Sequence, residues 1–176
     1  MYDHIAKPSG VDAATGGYKN VFFFAPKVDF LVLAAAITPI VNLGDDVTIA
    51  AVHTFTAPKG FFEFACKTHS VTLKGATVGD EGAQEMEWTG EFVIIGDSAS
   101  TQSQLQELLN DDVICLIKDA ECQANQYVQL GNDCVSPTFK VEFDGKTTKE
   151  GKKEYKVTVT CKKKYHYNYA VTKSAA

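Results

Sequence analysis

GEFVIIGDSASTQSQLQELLNDDVICLIKD, residues 90–119, decides how this chain reads. An apolar strand pattern runs to Gly96, a polar stretch intervenes, and a second apolar run begins at Val113. Within the polar stretch Leu105, Leu108 and Leu109 recur at i, i+3 and i+4, the spacing of one helix face, while Gln102, Gln106 and Glu107 turn to water. Ser98 or Ser100 stands where a hydroxyl accepts from the free N–H groups of a first helical turn. Asn110 and Asp111 end the pattern. The spacing predicts one helix at about 100–110. At about three turns it is too short to be stable alone, so its leucine stripe must dock on a sheet. DVICLIKD (112–119) is apolar on both faces, which predicts a strand buried between that helix and the core.

Outward from this stretch almost everything reads as strand. EMEWTGEFVIIG (85–96) sets Met86, Trp88, Phe92 and Ile94 on one face and Glu85, Glu87, Thr89 and Glu91 on the other. SPTFKVEFDG (136–145) alternates with Phe139, Val141 and Phe143 inward. EYKVTVTCK (154–162) alternates with Tyr155, Val157, Val159 and Cys161 inward, and KTTKEGKK (146–153) is the polar turn between the two. FFEFACK (61–67), SVTLKG (70–75) and QYVQLG (126–131) read as strands, as do VFFFAP (21–26) and DFLVLA (29–34). GDDVTIAAVHTF (44–55) reads as a strand entered through an acidic turn, and YHYNYAV (165–171) as an aromatic strand or tail. APKG (57–60) and GATVGDEGAQ (75–84) carry turn chemistry. The expected fold is mainly β: a β-sandwich or barrel of two antiparallel sheets, with the short helix packed on the outside. Residues 1–19 are rich in Gly, Pro, Ser and Ala and are expected to form a flexible N-terminal arm. Residues 20–176 are expected to form a single β-sandwich domain.

Bulk composition agrees. The 176 residues suit one domain, and 45% hydrophobic with 22% charged residues is a globular balance. The N-terminus shows no basic start followed by an apolar run, so no secretion signal is expected. Cys66, Cys115, Cys122, Cys134 and Cys161 are odd in number and irregular in spacing, which predicts free and mostly buried thiols. All 17 basic residues are lysine, and the net charge is −5. Arginine is the residue of bidentate grip on phosphate and guanine, so specific nucleic-acid binding is not expected. Residues 79–97 hold six carboxylates and no lysine, whereas 146–164 hold eight lysines against Glu150 and Glu154. Such asymmetry reads either as two solvated surfaces or as electrostatic matching between copies placed head to tail.

Catalytic and metal signatures are weak. GDSAS (96–100) lacks the final glycine of a nucleophile elbow and is better explained as the helix cap. Cys66 and His69 have ligand-like spacing, with His53 nearby in sequence, but a structural zinc site wants two such pairs. His4 and His166 are isolated. No catalytic residue, metal ligand or cofactor site is assigned, and no enzyme activity is expected.

The strand, serine cap, leucine-striped helix and buried strand from Glu85 to Asp119, with the lysine-rich hairpin SPTFKVEFDGKTTKEGKKEYKVTVTCKK (136–163), resemble the major tail tube proteins of long-tailed bacteriophages. The tube subunits of type VI secretion and of contractile bacteriocins are relatives in fold. The likeness is one of architecture and covers most of the chain. It implies a non-enzymatic virion protein made in the host cytoplasm. Its partners are copies of itself in hexameric rings, stacked head to tail around an acidic channel, and other virion proteins. DNA passes through the channel without specific binding, and no membrane is involved. The resemblance makes Glu85, Glu87 and Glu91 candidates for the lumen. It makes Lys59, Lys146, Lys149, Lys152 and Lys153, with the arm, candidates for contacts between subunits. Two other readings stay open. One is another virion protein, a capsid decoration or neck protein. The other is a carbohydrate- or peptide-binding sandwich using Trp88 and the aromatics of Tyr165–Tyr169.

Overall fold

The computed structural model describes residues 17–120, 125–147 and 151–174. His4, Cys122, Lys149 and the expected arm up to residue 16 lie outside the described residues. In chain order the elements are β1 (Tyr18–Pro26), β2 (Phe30–Val32), β3 (Thr54–Phe55), β4 (Phe62–Ala65), β5 (Thr72–Val78), β6 (Glu85–Ile95), α1 (Ala99–Leu108), β7 (Val113–Asp119), β8 (Tyr127–Leu130), β9 (Thr138–Asp144), β10 (Glu154–Cys161) and β11 (Lys164–Tyr167). A wide sheet runs β11-β8-β7-β1-β4 and a narrow sheet runs β5-β6-β10-β9. Every pairing in both is antiparallel. Among the described residues neither sheet closes on itself, so the fold is a sandwich rather than a barrel.

Alternation places the core. Phe22, Phe24, Phe64, Cys115, Ile117 and Leu130 of the wide sheet meet Phe92, Ile94, Tyr155, Val157, Val159 and Cys161 of the narrow one. Phe22 and Phe92 stack across the interface with centroids 4.2 Å apart. The chain crosses from wide to narrow sheet after β4, pinned where Lys67 N–H donates to the Val93 carbonyl at 2.7 Å.

The helix is the return crossing. It leaves β6 in the narrow sheet and delivers β7 to the wide one. Ser98 Oγ accepts from the Thr101 N–H at 3.1 Å, the cap expected from the sequence. At the other end Asn110 Nδ2 donates to the Gln106 carbonyl at 3.1 Å. Leu105 and Leu108 are each 2% exposed and join the inter-sheet core. Leu109, expected to share the stripe, is 44% exposed because it lies one residue past the last helical turn.

Two local expectations change. The second face of β7 is not covered by the helix, whose leucines belong to the inter-sheet cluster. Ile114 and Leu116 instead pack with Phe23, Ala25, Ile49, Phe61, Tyr127 and Tyr167 on the outer side of the wide sheet. The segment carrying β2 and β3 supplies that cover. Residues 44–55 form no long strand either: a short 3-10 turn at Asp45–Val47 interrupts them, and only Thr54–Phe55 pair as β3. Asp45 Oδ2 accepts from the N–H groups of Val41 and Asn42 at 2.9 and 2.7 Å, which closes a turn where strand was expected. Gly44 permits it with φ of +96°.

Candidate assembly surfaces

The polar face of the narrow sheet is built by the same alternation that builds the core. Glu85, Glu87 and Glu91 all point to it, as expected, but lysines share it. Antiparallel pairing lays the acidic strand β6 along the basic strand β10. Lys156 Nζ lies 3.4 Å from Glu91, and Lys162 lies 3.3 Å from Glu85. Lys163 reaches Glu85 as well, at 3.4 Å. Hydrogen bonds from Lys162 and then Lys163 hold the Glu85 carboxyl below the usual carboxylate range. The charge asymmetry of the sequence is thus balanced in large part within one chain.

The lysine candidates are likewise engaged. Lys146 Nζ lies 2.6 Å from Asp144 and 3.5 Å from Glu154. Lys153 pairs with Asp97 at 3.0 Å, and Tyr155 Oη donates to the same carboxylate at 2.8 Å. Those two hydrogen bonds, Lys153 first, hold Asp97 low. Lys59 pairs with Asp29 at 3.5 Å on a different turn, and Lys152 is exposed. Lys146, Lys152 and Lys153 cluster at the β9–β10 turn, and Lys149 lies outside the described residues.

The edges of the two sheets are treated differently. Each edge of the wide sheet carries a bridge to another segment. Beside β11, the Ile49 N–H donates to the His166 carbonyl at 3.0 Å. At the start of β4, the Phe61 N–H donates to Thr172 and the Ser174 N–H to Phe61. Gly60 makes this approach possible, since a Cβ there would sit 2.6 Å from the Lys173 backbone. Among the described residues the outer edges of β5 and β9 in the narrow sheet make no backbone hydrogen bond. Both are seven-residue strands, unbroken by proline or bulge. Long open edges of this kind are pairing surfaces.

Exposed apolar side chains concentrate in one segment. Val28, Leu31, Val32, Ile40, Val41 and Leu43 are all more than half exposed. They ride on the layer that covers the wide sheet. Beneath it lies a buried polar cluster. His53 Nδ1 accepts from the Ala34 N–H at 3.1 Å, so Nε2 carries the proton and donates to Gln129 Oε1 at 2.8 Å. The Tyr167 ring stacks on the imidazole at 4.6 Å. Burial pushes the imidazole below its ordinary pKa, with the Gln129 bond opposing. Sequence reasoning missed this cluster; its signal was Gln129 standing in the apolar run YVQL.

The residues weighed for chemistry do not converge. His53 belongs to the outer cluster, whereas Cys66 packs at the rim of the inter-sheet core. Burial pushes the Cys66 thiol up to about 12. Among the described residues no group of three or more His, Cys, Asp or Glu side chains is placed to hold a metal. Trp88 and Tyr165 line an open cleft of about 410 Å³ together with Glu85, Lys162 and Lys163. The Trp88 ring is partly occupied: Lys164 Nζ lies 4.2 Å from its centroid, and Gly75 abuts it closely enough that a Cβ would come within 2.7 Å. Tyr167 is fully buried, and Tyr169 Oη donates to the Ala50 carbonyl at 2.7 Å.

No family model, no curated protein and no solved structure matches this chain.

Proposed function

We propose that this chain is a non-enzymatic structural subunit that assembles with copies of itself into a tube, as the major tail tube proteins it resembles do. One observation carries the reading: the narrow sheet has an even number of antiparallel strands and two open edges. Its edge strands β5 and β9 therefore run in opposite directions. Copies related by rotation about a common axis set β9 of one beside β5 of the next, antiparallel, and the alternation continues around a ring. The wide sheet has an odd number of strands, so its edges run the same way. A ring built through them would need parallel junctions, and each of those edges is already bridged at one point by another segment.

In such a ring the wide sheet is the outer layer and the polar face of the narrow sheet lines the channel. Glu85, Glu87 and Glu91 then face the lumen, beside Lys156 and Lys162. A channel face with Glu85 and Glu91 paired to lysines, Glu87 in no ion pair among the described residues, and no arginine gives DNA no site to grip. Stacking of rings falls to the exposed apolar segment around Val28–Leu43 and to the turns of Lys59, Lys146, Lys152 and Lys153. Large exposed apolar surface is the mark of an interaction site. The resemblance supplies the hexameric count, the virion location and the passage of DNA.

The test is negative-stain electron microscopy across a concentration series, with light scattering on the same samples. Rings or tubes with a central hole are expected. Particles that stay monomeric at every concentration overturn the proposal and direct attention to capsid attachment or glycan binding.

A further inference from the structure

We infer that β9 of one copy joins β5 of the next over all seven residues, with Glu142 opposite Lys74 and Phe143 opposite Leu73. This rests on the tube reading and names its junction.

The register follows from the pairing inside the narrow sheet. Through β10, Thr138 stands level with Thr89 of β6 and Asp144 level with Ile95. Through its direct pairing, β5 stands level with β6 from Val78 at Glu85 to Thr72 at Glu91. The two edges are equal in length but offset by four residues along the sheet. Full pairing therefore slides each copy by four residues relative to its neighbour.

At that slide the chemistry agrees on both faces. On the core side Phe139 meets Thr77, Val141 meets Gly75, and Phe143 meets Leu73. Phe143 is 50% exposed in the single chain and gains an apolar partner. On the polar side Lys140 meets Ala76 and Glu142 meets Lys74. Glu142 already pairs with Lys140 at 2.7 Å within its own strand, and among the described residues Lys74 makes no ion pair. Other slides fit less well. Any odd number sets core-side residues against polar-side ones. Two residues fewer leaves two rungs unpaired and sets Lys140 against Lys74, a like-charge pair. Two residues more also leaves two rungs unpaired: it sets Asp144, already held by Lys146 at 2.6 Å, against Lys74, and Phe143 against Gly75, which offers it no side chain.

The slide fixes a second quantity. Four residues across four strands is one residue per strand. An eight-stranded barrel with a shear of eight has that same ratio and a strand tilt of about 36°. The strands of the tube wall should incline by about the same angle to the tube axis, whatever the number of copies.

The experiment uses charge exchange and cross-linking in the full chain. Lys74→Glu alone and Glu142→Lys alone are each expected to raise the concentration needed for assembly about fivefold, from the size of cross-strand charge pairs. The double exchange is expected to restore it. Directly opposite strand residues have Cα atoms about 4.5–5.5 Å apart, within disulfide reach. With Cys122 and Cys134 replaced by Ser, K74C/E142C should oxidise to a ladder of multimers on a non-reducing gel. K74C/K140C, which reports a slide two residues shorter, should not. Assembly of the wild-type chain without rescue and without the ladder overturns this junction while leaving the tube intact. A ladder from K74C/K140C in its place overturns the register. A wild-type chain that never assembles overturns both readings.

Discussion

The helix gives the sharpest test of how the two sheets are held together. Leu105 and Leu108 are each 2% exposed in the inter-sheet core, whereas Leu109 one residue on is 44% exposed. Burial of a leucine and the void left on truncation together make Leu→Ala cost about 2–5 kcal/mol in well-packed cores. Leu108 borders an open cleft of about 390 Å³ lined also by Phe24, Phe62 and Val113. Leu105 borders one of about 360 Å³ lined also by Val141, Phe143 and Tyr155. Water can enter space opened beside a cleft, so the void term shrinks and the lower part of the range applies. We expect Leu105→Ala and Leu108→Ala to cost about 2–3 kcal/mol each, and Leu109→Ala less than about 1 kcal/mol. For a chain of this size the first two lower Tm by about 5–10 °C. Urea unfolding followed by the fluorescence of Trp88 measures all three, and an unchanged m-value confirms that stability alone moved. If Leu105→Ala and Leu108→Ala cost no more than Leu109→Ala, the helix does not belong to the core.

Other outcomes follow from the same geometry. With exposed Cys134 present, a thiol reagent should modify it while Cys66, Cys115 and Cys161 resist until unfolding, since burial raises all three thiols; mass spectrometry of labelled peptides reads this. The His53 pKa is depressed in the folded chain, so the unfolded chain binds more protons below the ordinary histidine value of about 6.5. Stability is therefore full above that value and falls as pH drops from it towards the native pKa. The urea midpoint should be lower at pH 5.5 than at pH 7.5, by less in His53→Gln, and an equal drop in that variant refutes the assignment. Gly60→Ala should cost more than about 1 kcal/mol by pushing the C-terminal segment off β4, seen as faster proteolysis near Lys173. If rings form as proposed, charge reversal of Lys149, Lys152 and Lys153 should hinder their stacking, and tubes of normal length in that variant remove those lysines from the contacts.

Where one face of a strand is buried and the other wet, the sequence carried the answer. β6, β9 and β10 alternate cleanly because one side meets the core and the other meets water. The helix was legible for the same reason, through the spacing of Leu105 and Leu108 and the hydroxyl of Ser98. β7 was legible as doubly buried, but not what buried it. Ile114 and Leu116 demand an apolar cover without specifying which segment of the chain provides it. Residues 44–55 misled because the β-branched content of VTIAAV outweighed one side chain, Asp45, whose carboxylate ties back to Val41 and Asn42. Alternation gave the shared face of Glu85, Glu87 and Glu91, whereas their lumen role and the contact role of the turn lysines came from the resemblance. Their partners depend on register, which a strand does not carry by itself.

Register also changes what the charge pattern means. In sequence, an acidic block at 79–97 and a basic block at 146–164 stand far apart and invite a partner for each. In the fold they are neighbouring strands, and Glu85, Glu91 and Asp97 find Lys162, Lys156 and Lys153 within the chain. Exposed pairs of this kind add little stability, and charges already satisfied in cis contribute little to steering between copies. If the chain assembles as proposed, the drive must then come from groups left without partners. Among them are the backbone edges of β5 and β9, Lys74 on β5, and the apolar side chains from Val28 to Leu43. Added salt should consequently weaken assembly only modestly, because backbone pairing and apolar burial are insensitive to screening. A steep loss of tubes between low and moderate ionic strength would return the weight to the lysine turns.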